Sequence, residues 1–228
     1  YIFALHNVPG YKKHEVYIKE KTFTPSVISI KVKFFGKTSH AAEPEFGKNP
    51  SYAIAELLQK SKKLENHNKN SRSYGIITPI YTRVGSEDHG ISAGYGEIDF
   101  TLRTWKKTSM TNLREKLMSL IINISLKHEL TYKLEWFQEF SSIENNKKAV
   151  FIIKQAAIQN KLNCIVKKTP FPWGEDFGLF TEKIDGAMFC LGAGIRTPAL
   201  HNPDYDFPDE LIKTGSQLFI SIFNTAQK

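Results

Sequence analysis

Residues 25–138 carry two apolar periods in strict succession, and that succession restricts the fold more than any other feature of the chain. Val27–Phe35 alternates: Ile28, Ile30, Val32 and Phe34 fall on one side, Ser29, Lys31 and Lys33 on the other. A period of two is the mark of a half-buried strand. Over residues 50–64 the period changes. Ile54, Leu57, Leu58 and Leu64 recur at helical spacing, with Pro50 early in the run and Asn49 placed to cap it. Tyr74–Val84 reads as a strand, with Pro79 marking an edge or a bulge. Glu97–Thr104 alternates again, turning Ile98, Phe100 and Leu102 inward. Residues 110–128 align Leu113, Leu117, Leu120, Ile121 and Ile124 on one helical stripe. Leu130–Phe137 returns to alternation through Leu130, Tyr132, Leu134 and Trp136. The order β-α-β-β-α-β is that of ferredoxin-like domains. Two helices then cover one face of the sheet, and the other is left to solvent or to another chain.

The flanks follow a different rule. Tyr1–Leu5 and Ala187–Leu191 are continuous apolar runs, with helical patterns after Lys148 and after Leu211. A short strand at Cys164–Val166, a Pro-rich turn and a helix start at Glu175–Phe177 lie between them. Continuous apolar strands alternating with helices predict a sheet covered on both faces. The chain is therefore read as an α/β protein. An α/β domain, incomplete as given, takes residues 1–24 and 139–228. The β-α-β-β-α-β domain, residues 25–138, is inserted into it.

Composition excludes several function classes. The chain has 228 residues and a formal net charge of +8. Its lysines are scattered, so the charge reads as a solvated surface rather than a nucleic-acid face. The third strand of the inserted unit reads Gly-Glu-Ile-Asp-Phe-Thr-Leu-Arg, acidic where an RNA-recognition sheet needs stacking aromatics. Cys164 and Cys190 are isolated, which predicts buried free thiols and a reducing, cytoplasmic setting. No apolar run approaches the roughly 20 residues of a membrane span, so no membrane partner is expected. Tyr1 is not Met and stands within an apparent strand, so residues upstream of it are expected. Neither a Gly-x-Ser-x-Gly elbow, a phosphate loop nor His-Glu-x-x-His is present.

Histidines carry the remaining signal. His6 stands at the carboxyl end of a strand in Leu5-His6-Asn7-Val8-Pro9-Gly10, and His201 follows a Gly-rich loop in Leu200-His201-Asn202-Pro203. Ligand sites in open α/β sheets collect at the carboxyl ends of strands. Two imidazoles there are candidate ligands of a catalytic metal, or else hydrogen-bonded loop residues. Glu175 and Asp176 are the carboxylates within reach of such a site, or else helix-terminus residues. His40 sits in Gly36-Lys37-Thr38-Ser39-His40-Ala41-Ala42-Glu43-Pro44, a loop of the inserted unit. His14, His67, His89 and His128 read as structural or exposed.

Four segments in order, Phe3–Gly10, Gly36–Pro44, Gly174–Phe177 and Leu200–Pro203, resemble the dinuclear metallopeptidase and amidohydrolase family of aminoacylases, hippurate hydrolases and plant auxin-conjugate hydrolases. The resemblance spans essentially the whole chain. It implies that the α/β domain of residues 1–24 and 139–228 is catalytic, with a ferredoxin-like lid that mediates homodimerisation, two divalent metal ions (zinc or manganese), and hydrolysis of small N-acyl amino acids or peptides. It implies that His6 binds one metal and His201 the other. His40 would reach the partner subunit's site as the catalytic group that stabilises an oxyanion. Arg103, outward on its strand, would meet the substrate carboxylate or else serve an ion pair. The family's upstream metal motif and its Glu-Glu pair, source of the general base, do not occur here. Gly90-Ile91-Ser92-Ala93-Gly94 stands where relatives often carry Asn-Val-Ile-Pro. Residues 1–228 alone are thus expected to be inactive. The alternative is a dimeric binding or scaffold module without catalysis.

Overall fold

The computed structural model describes residues 1–227. The chain divides into two compact units, one continuous and one discontinuous. Ser26–Phe140 forms the continuous unit, and Tyr1–Pro25 joins the segment from Ser141 onward to form the other. The discontinuous unit opens with β1 (Ile2–Pro9), β2 (Val16–Ile18) and β3 (Lys21–Thr24). The continuous unit follows with β4 (Ser26–Phe35), β5 (Ser39–His40), α1 (Ser51–Ser61), β6 (Gly75–Val84), β7 (Ile91–Ser92), β8 (Tyr95–Thr104), α2 (Lys107–Lys127) and β9 (Thr131–Phe140). The chain then returns through β10 (Ile143–Asn145), α3 (Lys147–Gln159), β11 (Cys164–Val166), α4 (Gly178–Thr181), β12 (Gly186–Gly194) and α5 (Glu210–Ala226). The result is a mixed α/β protein. Among the described residues no helix is long and apolar enough to cross a membrane.

In the continuous unit the long strands lie in the order β6-β8-β4-β9, all antiparallel. The inward residues of the alternating runs meet both helices. Ile28, Ile30, Val32, Phe34, Ile98, Phe100 and Leu102 pack with Ala53, Ile54 and Leu57 of α1 and with Leu113, Leu117, Ile121 and Ile124 of α2. Each large side chain buried this way contributes about 1.5–3 kcal/mol. On the opposite face, charges pair across strands: Lys33 Nζ meets Glu135 at 2.8 Å and Lys31 Nζ meets Asp99 at 3.5 Å. Pro79 sits on the edge strand β6 beside a register shift, as a residue without an amide donor should. Asn49 Oδ1 accepts from the Ser51 backbone N–H at 2.9 Å, holding the start of α1. α2 begins three residues before its apolar stripe, because Lys107–Ser109 form a first turn that buries nothing.

The segment Gly36–Pro44 is more ordered than a loop. β5 pairs antiparallel with β7, placing His40 opposite Ile91. Gly36 is required by close approach: a Cβ there would overlap the Lys48 carbonyl oxygen.

The discontinuous unit holds a mixed sheet in the order β1-β12-β2-β11. β1 and β12 are parallel, β12 and β2 antiparallel, β2 and β11 parallel. One face buries Val16, Ile18, Ala187, Phe189 and Leu191 against α3 and α5. The sheet is covered on both faces, the second by short strands and aromatic residues. Phe23 of β3, Ile143 of β10 and the aromatic residues Phe171 and Phe177 cover Tyr17, Met188 and Cys190 there. Rings in close contact fill this layer, Phe23 to Phe171 at 5.1 Å and Tyr11 to Tyr17 at 4.7 Å between centroids. Aromatic side chains bury large areas each, which suits such a layer. The expected helix start at Glu175 also moves: α4 begins at Gly178, and Glu175 and Asp176 precede it. Both cysteines are free, Cys190 fully buried and Cys164 only half-buried.

The helix pair of the continuous unit is joined by one carboxylate. Glu56 of α1 takes Lys127 at 2.7 Å, Lys60 at 2.6 Å and His128 at 2.8 Å. These contacts, Lys127 first, hold its pKa down to about 2. A depressed carboxylate stabilises the fold above the unfolded-state value and stops doing so as pH falls through the folded one. Glu56→Gln is therefore expected to lower stability at neutral pH. It should also remove part of the acid-induced loss between about pH 4.5 and 2, measured by urea denaturation across that range.

Candidate active site

β1 sends alternate side chains to opposite faces of its sheet. Phe3 and Leu5 join the helix-covered core, whereas Ile2, Ala4 and Val8 join the aromatic layer. His6 shares the second parity, opposite Cys190 in register. Its side chain is 23% exposed, so the imidazole stands at the margin of the aromatic layer. Three contacts fix the ring. Nδ1 lies 2.6 Å from the Asn7 carbonyl oxygen, Nε2 lies 3.4 Å from Glu175 Oε1, and the ring centroid lies 5.0 Å from that of Trp173. Trp173 is itself seated on Phe171 at 4.9 Å. Glu175 raises the His6 pKa above its ordinary value; burial opposes this and the Asn7 carbonyl adds to it.

His201 occupies the turn between β12 and α5, with an exposed side chain and a left-handed backbone, φ 70°. Left-handed non-glycine residues are uncommon and gather at functional sites. The turn is closed by Asn202 N–H to the Ala199 carbonyl and by Tyr205 N–H to the Asn202 carbonyl. Its tie to β1 is the hydrogen bond from Asn7 Nδ2 to the Tyr205 hydroxyl. The segment carrying His201 is thus anchored to the residue beside His6.

Among the described residues no three His, Cys, Asp or Glu side chains gather as a ligand set. His6 still fits a metal ligand. A neutral ring whose Nδ1–H donates to the Asn7 carbonyl keeps a lone pair on Nε2, and that arrangement is common for zinc-binding histidines. A catalytic transition metal takes at least three protein donors. The described residues do not complete such a set.

His40 and Arg103 belong to the continuous unit. The Ala42 backbone N–H donates to His40 Nδ1 at 3.1 Å, so a neutral His40 carries its proton on Nε2, on an exposed ring. Arg103 is half-buried on β8, and burial lowers its pKa. Sequence reasoning left Trp173, Asn7 and Tyr205 out of the site. The parity of β1 was the available signal for the His6 side of the sheet. Nothing in the chain announces the contact between Asn7 and Tyr205, which are 198 positions apart.

The model of peptidase family M20/M25/M40 matches residues 1–225. The chain belongs to this family. N-acetyldiaminopimelate deacetylase of Exiguobacterium sibiricum is 26% identical over 217 residues, covering 92% of this chain and 55% of the relative. N-acetylcysteine deacetylase of Bacillus subtilis is 23% identical over 221 residues, covering 97% of this chain and 57% of the relative. The chain thus spans little more than half the length of these relatives. Among solved structures, the YXEP protein of Bacillus subtilis, a dinuclear metal binding peptidase of the M20 family, superposes with a TM-score of 0.77. That match has 20% identity over 96% of this chain and 55% of that one. An aminobenzoyl-glutamate utilization protein from Klebsiella pneumoniae gives a TM-score of 0.75 at 13% identity, covering 96% of this chain and 53% of that one. At such identities these structures establish the mixed α/β fold.

The imidazoles of His6 and His40 carry opposite tautomers in this geometry. Nitrogen-15 NMR of the neutral rings is expected to show the proton of His6 on Nδ1 and that of His40 on Nε2. A His40 ring protonated on Nδ1 would contradict the contact from Ala42.

Proposed function

We propose that this chain serves a metal-dependent amidohydrolase that cleaves the amide bond of N-acyl amino acids or small peptides. The observation that carries the reading is His6: a strand-end imidazole with a tautomer fixed by the Asn7 carbonyl, in a chain of the M20 family. The deacetylase relatives act, by their names, on N-acyl amino acids, which supports the substrate class.

In this proposal His6 and His201 hold divalent ions, two in all, with zinc or manganese as the candidates. When bound, such ions polarise the scissile carbonyl and lower the pKa of water. Asn7 keeps the His6 lone pair on Nε2 and, through Tyr205, holds the His201 turn in place. Residues 26–140 act as a ferredoxin-like lid inserted in the catalytic domain and form the homodimer. The strand order β6-β8-β4-β9, which is 2-3-1-4 within that unit, supports the lid assignment. His40 donates its Nε2–H to the oxyanion that develops during amide cleavage, in the partner subunit's site. A fixed donor of this kind acts on charge that exists only in the transition state. Arg103 receives the substrate carboxylate. A reducing, cytoplasmic setting agrees with the two free thiols.

Hydrolysis of N-acetyl amino acids by the intact gene product should require Mn or Zn and stop on chelation; metal-independent turnover would refute the reading. His40→Ala is expected to lower kcat about 10²–10³-fold, with the dimer unchanged by light scattering. Residues 1–228 expressed alone are expected to show no turnover, because among the described residues no complete ligand set assembles.

A further inference from the structure

Helix α3 carries a stripe that its packing on the sheet does not use up. Lys147, Val150, Phe151 and Lys154 fall at i, i+3, i+4 and i+7, one face of the helix. Val150 turns into the core, but Phe151 stays 59% exposed. Nearby stands β11, the last strand of its sheet, with Val166 58% exposed. A cavity of about 360 Å³ lies here, floored by Ile18, Val150, Phe151 and Val166. Lys19, Lys147, Lys154 and Lys167 also line it, against Glu20 as the one lining carboxylate. Two of these lysines are committed elsewhere. Lys167 Nζ donates to the Tyr11 hydroxyl at 3.3 Å and lies 4.4 Å from the Phe171 ring centroid, and Lys19 Nζ donates to the Glu20 carbonyl at 3.1 Å. Lys147 and Lys154 have no ion-pair partner among the described residues.

We propose that this cavity binds a small anionic amphiphile, with its apolar chain on Phe151 and Val166 and its carboxylate between Lys147 and Lys154. Exposed apolar side chains rimmed by polar ones mark ligand and partner sites. The rim selects the sign of the head group, because a carboxylate pairs with the two ammonium groups and a cation is repelled by them. The volume falls within the range of small-molecule sites, about 300–1,000 Å³. β11 is three residues long and is followed by Lys167 and Lys168. Short length and lysines are the features by which sheet edges discourage an added strand, so a small molecule is favoured over a peptide. The site is separate from the amidohydrolase reading. α3 covers the sheet face that buries Phe3 and Leu5, and His6 has the opposite parity.

The test is octanoate binding by the metal-free intact gene product, followed by calorimetry and by methyl NMR. Octanoate is expected to shift the methyl signals of Ile18, Val150 and Val166. Lys147→Gln combined with Lys154→Gln should weaken binding about fivefold for each lysine. Phe151→Ser should weaken it about tenfold, and the exposure of Phe151 means that the core is left intact. Lys62→Gln combined with Lys63→Gln removes the same charge from the continuous unit and should leave the affinity unchanged. Octyltrimethylammonium, with the same chain and the opposite charge, should not bind. Octanol binding as tightly as octanoate would overturn the proposal, and so would equal affinities for the two double-lysine variants. Octanoate that leaves the three methyl signals unmoved would overturn it as well. An acidic peptide that moves them where octanoate does not would show that the groove takes a protein segment, against the small ligand proposed.

Discussion

The parallel pairing of β1 with β12 is the constraint from which the candidate site follows. It joins Ile2–Pro9 to Gly186–Gly194 across most of the chain. Parallel strands cannot be joined by a tight turn, and the connection here contains the whole Ser26–Phe140 unit. The ladder sets His6 opposite Cys190 and leaves the turn after Gly194 free to fold back on Asn7. Loss of this register by one residue would turn His6 into the helix-covered core, where an imidazole has no partner.

The two faces of that sheet solve burial in different ways, and the difference leaves His6 at a rim. α3 and α5 cover one face with aliphatic side chains. On the other, rings of Tyr11, Tyr17, Phe23, Phe171 and Trp173 build a layer from loops and a short strand. The ring layer ends at Trp173 and leaves the imidazole at its rim, held but accessible. Cys190 lies beneath, where burial pushes its thiol well above the ordinary value and keeps it inert.

The continuous unit was the most legible part of the sequence. Its alternating strands sit half-buried on a helix-covered sheet, the setting in which period two is strongest, and Ile28, Ile30, Val32 and Phe34 all point to the core as read. Pro79 announced the edge strand because it lacks an N–H, and Asn49 announced the start of α1 because its side chain accepts one. β2, β3 and β10 went unread. Each is only three or four residues long, too short for any period, and each exists because a partner elsewhere in the chain pairs with it.

The sequence by itself determined the alternation of strands and helices, the strand-end position of His6, and the four ordered segments that resemble the family. Those are local: they depend on side-chain period, on Pro and Gly, and on residue type. Tertiary structure alone decided that Glu175 faces His6, that Trp173 flanks it, and that the His201 turn is tied to Asn7 through Tyr205. Contacts over such separations arise only once β1 and β12 have paired, because no local propensity reports which distant segments a strand register will bring together.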